Sequence, residues 1–444
     1  MQFSIREVIE NTGGILLKGD IDSDIKFDIS TDTRKIKESD FYLPLRGENY
    51  DGHSFIDAAL KSGAIGYFTQ DKTKINDDAE CIIYVENTLV SYLKLANYIR
   101  RKINPKVVAI TGSSGKTTVK EMLYGVLSTT YKTHKTALNH NNEIGLCETF
   151  FKMPVDTEVL VLEMGMRNLG EIELLSLYAN PDIAIITNIG TAHVELLGTV
   201  KNIAIAKCEI AKHLKKDGVF IAPDCAVIKE NINFDGAKIY VSSNECKNIR
   251  IEKEKTTFNY KEEEYELSVA GEHNAYNAAL VIEAAKKLNV DNCNIKRGLF
   301  EFKPIEKRWE FSNIKGINFI NDSYNANPES MKAAIKTFLS VYKPPVALVL
   351  GDMGELGKDS IMYHKQIGEF LSSYYKKDSD IEILTVGELS KFILKASLFE
   401  GKSFKTNLEC AKYINENLKK GTTVLLKASR FMKFEEIMET VKNL

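Results

Sequence analysis

The 444-residue sequence has no basic excess, no paired cysteines and no long apolar run. A net charge of −2 argues against a nucleic-acid-binding protein, which would carry a basic surplus, yet leaves room for a local basic pocket around an anion. No apolar run approaches the ~20 residues needed to cross a bilayer, so membrane insertion is not expected. Met1 to Val8 show no basic stretch ahead of an apolar core, so no signal peptide is expected. The seven cysteines, Cys81, Cys147, Cys208, Cys225, Cys246, Cys293 and Cys410, form no Cys-x-x-Cys pair. Neither a zinc site nor a disulfide framework is indicated, and a reducing cytoplasm is expected. Low-complexity tracts and long linkers are also missing. At roughly 100–200 residues per domain, the length allows two to four domains.

What is there is an alternation of pattern. Residues 1 to about 83 mix short strand-like runs, such as Phe41 to Leu45, with a helical stretch from Ser54 to Ser62. Leu89, Tyr92, Leu93, Ala96 and Ile99 have helical spacing over 88–102. Apolar runs of strand length follow at 107–110, 159–162, 183–187 and 219–222, separated mostly by helical segments. This predicts a parallel sheet covered by helices. Residues 249–269 alternate charged and apolar residues, as an antiparallel ribbon does. A second α/β unit begins near 310, with strands at 317–321, 346–350, 383–386 and 424–427. The fold class is therefore α/β in three domains: 1–83, 84–309 and 310–444.

The strand Val107–Ile110 runs into Thr111-Gly-Ser-Ser-Gly-Lys-Thr-Thr118, and a helix follows. Polyphosphate needs converging backbone N–H groups. Gly112 and Gly115 let the backbone approach, and the helix N-terminus adds a favourable dipole. Gly112 through Thr118 (Ser113, Ser114, Lys116 and Thr117 included) are the candidate phosphate cradle. Lys116 would neutralise β/γ oxygens, and Thr117 would bind Mg²⁺. Ile110 stands where the usual loop has a glycine, so the match is to a shortened loop. The bland alternative is a strand-to-helix turn with a chance Gly-Lys-Thr.

Glu163 and His193 lie beyond two later strands, at the sheet edge where ligands bind in such folds. Glu163 suits Mg²⁺; alone it could equally be a helix cap, and His193 a structural histidine. Lys207, in a helical segment, reads as a solvated lysine. Asn274 and Asn277 open an apolar helix, where Asn is a good cap. Arg308 precedes the last domain. Asp322, in Asn321-Asp-Ser-Tyr-Asn-Ala-Asn-Pro328, lies in a polar cluster able to bind ribose and phosphates or merely to turn the chain.

In order, the phosphate loop, Asn139-His-Asn-Asn-Glu-Ile-Gly145, Leu162-Glu-Met-Gly165, the segment ending in His193, Ala206-Lys207, Gly271–Asn277 and Asn321–Pro328 resemble the Mur ligase family over nearly the whole chain. Three stretches resemble the member acting on D-alanyl-D-alanine: Ser30–Arg34, Leu350–Gly357 with His364, and Leu426–Arg430.

The resemblance implies an ATP-dependent, amide-forming ligase of peptidoglycan synthesis. It would join D-alanyl-D-alanine to UDP-N-acetylmuramoyl-tripeptide through an acyl phosphate, as a cytoplasmic monomer serving the cell wall, cell shape and cell division. It further implies Ser30, Thr33, Arg34 and Arg46 at the UDP-sugar, with Asn141 and Asn142 also toward substrate. Lys116 and Thr117 would meet phosphate and Mg²⁺, Glu163 and His193 metal, Asn274 and Asn277 adenine, and Arg308 and Asp322 ATP. Lys207 matches a position that many members carbamylate, which would make it a second metal ligand; with Lys116 and His193 it completes the implied catalytic set. Two departures stand out: Lys307-Arg308 where the family has Gly-Arg, and Ala428 for the glycine of Lys-Gly-Ser-Arg. The first leaves Arg308 in place, and the second adds a methyl group. Rival readings are another Mur ligase, a folylpolyglutamate-synthetase-like ligase, and a P-loop regulatory ATPase.

Overall fold

The computed structural model describes residues 2–47, 50–73, 75–303, 308–376 and 380–444. Lys307, one of the two departures, lies outside these residues. Helix Ile5–Thr12 starts on a capping box in which Ser4 and Glu7 satisfy each other's end groups. It leads into a five-stranded sheet in the spatial order Ile15–Lys18, Cys81–Tyr84, Gly66–Thr69, Phe41–Tyr42, Ile29–Ser30. Only the Ile15–Lys18 pairing is antiparallel. The predicted strand at 41–45 shortens to Phe41–Tyr42, and the predicted helix at 54–62 divides into a 3-10 turn, Gly52–Phe55, and an α-helix, Ile56–Lys61.

Helix Thr88–Ile103 is clamped to both of its neighbours. Tyr98 donates to Glu7 and Lys94 to the Thr12 carbonyl, while Asn97 and Arg100 reach the carbonyls of Tyr178 and Asn180. Asn104, in the left-handed region at φ 54°, ends the helix.

The central sheet is wholly parallel and six-stranded, in the order Ala237–Val241, Val219–Pro223, Ile183–Ile186, Lys106–Thr111, Val159–Glu163, Thr133–Lys135. Its inner strands are buried on both faces, which is why they read as unbroken apolar runs. The predicted ribbon is a three-stranded antiparallel sheet, Cys246–Glu252, Lys255–Tyr260 and Glu263–Leu267. Helix Glu272–Lys287 packs between it and helix Lys116–Ser128. The last sheet orders Glu310–Ile314, Ile317–Asn321, Thr423–Lys427, Val346–Gly351, Ile381–Val386 and Gly401–Phe404, with only its first strand antiparallel.

Ala428 is fully buried. A side chain on Gly351 would come 2.6 Å from its methyl group, so Gly351 leaves the room that the extra methyl takes. Among the described residues, no helix is long and apolar enough to cross a membrane.

Candidate active site

The phosphate loop leaves the C-terminal end of strand Lys106–Thr111, beside the strand carrying Glu163 and the strand preceding Asn188. The next strand's end latches the loop in place. Asn188 accepts from the Ser114 N–H at 2.9 Å, Thr187 donates to the Ser114 carbonyl at 2.5 Å, and the Gly190 N–H donates to Ser113 Oγ at 2.9 Å. Gly112 has φ 154°, and a side chain there would lie 1.9 Å from Thr187 Oγ1. Gly115, at φ 78°, passes under Asn277, whose Oδ1 is 3.0 Å from where its Cβ would stand. Both glycines are thus required by close approach.

Lys116 Nζ folds back to donate to the Gly112 carbonyl at 2.8 Å. Burial and nearby Arg308 pull its pKa below the ordinary lysine value, against the charges of Glu163 and Glu355. Arg308 donates to Thr117 Oγ1 at 3.1 Å, and its guanidinium stacks 4.1 Å from the Tyr324 ring. Asp322 pairs with Lys427 at 2.8 Å. These residues of the loop, the domain junction and the last domain line one cavity of about 1220 Å³, together with Asn141, Asn142, Glu163, His193, Asn274, Asn277 and Trp309.

Glu163 is buried at its strand end and caps no helix. Its Oε1 accepts from Asn141 Nδ2 at 2.9 Å, whereas Oε2 is buried without a hydrogen-bond partner among the described residues. A buried carboxylate oxygen that accepts no hydrogen bond and has the Lys120 ammonium 3.4 Å away, on a residue lining a phosphate cavity, fits Mg²⁺, which takes one or two protein oxygens and completes its shell with phosphates and water. No cluster of three His, Cys, Asp or Glu side chains gathers among the described residues.

His193 begins the short helix Val194–Leu197 with φ 67°, and its Nδ1 lies 2.7 Å from the Glu355 carboxylate of the last domain. That contact, opposed by burial, holds the Glu355 carboxyl below its ordinary value. Lys207 is not a solvated lysine: it is buried, outside the cavity lining, and burial followed by the charge of Lys116 holds its pKa well below the ordinary value. Neither Asn274 nor Asn277 is a cap, since the position before the helix is Gly271. Asn274 is buried and donates to the Ala270 carbonyl.

Ser30, Thr33, Arg34 and Arg46 are not brought into the cavity. Arg34 and Arg46 are exposed and paired with Asp32 and Asp51. Against burial, Lys152, His140 and, more weakly, the charge of the adjoining Lys35 lower the pKa of Glu148, which does line the cavity. Sequence reasoning missed Asn188, Glu329, Glu355 and Lys120. Asn188 and Glu355 sit inside quoted motifs and were open to notice. Glu329 reaches across to accept from the Thr191 N–H and hydroxyl, a contact with no local signature.

A loop so built, at such a strand end, defines a P-loop nucleotide-binding protein whose last domain shares the ligand cavity. Three family models narrow the class, namely the Mur ligase family catalytic domain over residues 26–106, the Mur ligase middle domain over 110–285, and the Mur ligase glutamate ligase domain over 307–430. The UDP-N-acetylmuramoyl-tripeptide–D-alanyl-D-alanine ligase of Bacillus subtilis is 36% identical over 450 residues, covering 98% of this chain and 97% of that protein. A crystal structure of MurF from Acinetobacter baumannii aligns at TM-score 0.91 and 30% identity over 100% of this chain and 99% of that one. MurF ligase from Thermotoga maritima, solved in complex with ADP, aligns at TM-score 0.83 and 27% identity over 94% and 97%. The chain belongs to the Mur ligase family.

Proposed function

We propose that this protein joins D-alanyl-D-alanine to UDP-N-acetylmuramoyl-tripeptide at the expense of ATP, giving the pentapeptide precursor of peptidoglycan, ADP and phosphate. The observation that carries the reading is the shared cavity in which the phosphate loop faces Arg308 at the domain junction and Asp322 and Glu355 of the last domain. The full-length likeness to ligases of that name supplies the substrates.

In the first step a carboxylate oxygen of the tripeptide attacks the γ-phosphorus, and the bond to ADP breaks. In the second, the dipeptide amine attacks the acyl carbon, loses a proton, and phosphate departs. Neither step needs covalent help from the protein, so positioning and charge neutralisation dominate. Lys116 and Arg308 place cations beside the loop. Thr117 and Glu163 would hold Mg²⁺, which supplies charge neutralisation at the transferring phosphate when bound. His193, with Nδ1 turned to Glu355, keeps Nε2 to take the amine proton or to ligate metal.

Lys207 is the candidate for carbamylation. Its low pKa favours the neutral amine, the form that attacks CO₂, and the carbamate would supply an anionic metal ligand. Asn274 and Asn277 face adenine, and Asp322 the ribose and phosphates. Asn141 and Asn142 face the substrate's reacting end, and Ser30, Thr33, Arg34 and Arg46 hold the UDP-sugar. The working division is 1–83 for the sugar nucleotide, 84–309 for ATP and 310–444 for closure, in a cytoplasmic monomer.

The test is ADP release by the purified protein, which should require both UDP-N-acetylmuramoyl-tripeptide and D-alanyl-D-alanine. ADP release undiminished without the dipeptide would favour a plain ATPase.

A further inference from the structure

Lys120 lies one turn beyond Lys116 on helix Lys116–Ser128 and is fully buried, where an ammonium is costly unless it is used. It donates to the Leu138 carbonyl at 2.8 Å and sits 3.4 Å from Glu163 Oε2 and 3.4 Å from Glu121 Oε1. Glu121 is already countered by Lys135, whose ammonium also lies 4.0 Å from the Tyr124 ring. Lys120 is therefore the cation in direct ion-pair contact with Glu163.

Its second contact is equally pointed. Leu138 has φ 47°, a conformation unfavourable for a branched side chain, and it opens the turn that delivers Asn141 to Glu163 Oε1. The Thr136 hydroxyl, two residues earlier, accepts from the Glu163 N–H at 3.1 Å. One ammonium thus ties together the phosphate helix, the strand-end carboxylate and the strained loop.

We propose that Lys120 is a positioning residue for the metal-bearing side of the nucleotide site. It holds Glu163 and the Asn139–Asn142 loop in fixed register, so that both meet the metal–nucleotide as one preassembled wall. The inference rests on the reading of Glu163 as a Mg²⁺ ligand.

Calorimetric titration of the full chain with ADP, alone and across a Mg²⁺ series, tests it. Lys120→Met and Lys120→Gln should bind ADP alone as the parent does, yet need at least ~10-fold more Mg²⁺ to tighten that binding, the loss typical when a partner behind a metal ligand is removed. Lys120→Arg should recover most of the difference. A folded, charge-free variant with an unchanged Mg²⁺ requirement overturns the proposal, as does equal loss of ADP binding with and without Mg²⁺. Should neither charge-free variant fold, Lys120→Met is combined with Glu163→Gln. Recovery of folding in that neutral pair supports the proposal, and failure to recover sinks it. Glu163→Gln alone separates the two ideas: if it leaves the Mg²⁺ requirement unchanged, the metal reading itself is wrong.

Discussion

Lys116 donates to its own loop's carbonyl, which holds its ammonium at the phosphate cradle. Lys116→Ala should lower the rate of ligation by at least ~10²-fold, the loss typical of one electrostatic stabiliser, as read by ADP release. Lys207 makes a prediction of opposite sign for stability. Its folded pKa is depressed, so between that value and the ordinary lysine value of about 10.4 the unfolded chain binds more protons. Stability therefore rises with pH across this window and is lowest beneath it. In CO₂-free buffer, Lys207→Met should raise Tm at neutral pH, with the gain narrowing as pH climbs toward the ordinary value. An unchanged Tm would count against a buried, uncompensated amine. Loop residues such as Lys116 were legible in the sequence because their spacing carries the chemistry. Lys120 and Lys207 were not, since a lysine in a helix carries no local mark of burial.

Among the elements, inner parallel strands were the most readable: the apolar runs at 159–162 and 317–321 correspond to strands Val159–Glu163 and Ile317–Asn321. Thr133–Lys135, Ala237–Val241 and Gly401–Phe404 escaped notice, because edge strands are half exposed and lack that apolar run. The phosphate loop gives an element-level prediction. Gly112→Ala forces a methyl group into Thr187, which should cost about 1–3 kcal/mol of stability and abolish ADP binding in calorimetry. Between helices Ile5–Thr12 and Thr88–Ile103, Glu7 is the tie. Burial would raise its pKa, but the Ser4 N–H, Tyr98 and Lys102 outweigh this and hold it at about 2. The stability it contributes is complete above the unfolded value of about 4.3 and is lost as pH falls through about 2. Glu7→Gln should lower Tm at neutral pH and converge with the parent in strong acid.

At the scale of the molecule, the central and last domains meet through Glu329 on Thr191 and Glu355 on His193, and Arg308, at the junction between them, reaches Thr117. All three contacts border the cavity. Arg308→Ala removes a charge-assisted hydrogen bond and should weaken ADP binding by roughly 10–100-fold. An unaltered Kd would show that nucleotide binding does not depend on it. This convergence could not be read from the chain, because the partners are separated by more than a hundred residues and none carries a local signature of contact.

Trp309 is the only tryptophan in the chain; it lines the cavity next to Arg308, with its indole N–H buried and lacking a partner among the described residues. The protein therefore carries a built-in optical probe at the junction of its central and last domains. Excited beyond the tyrosine band, its emission comes from this one ring. Nucleotide entry beside the ring should shift that emission, so occupancy of the cavity can be followed in real time in the unlabelled protein.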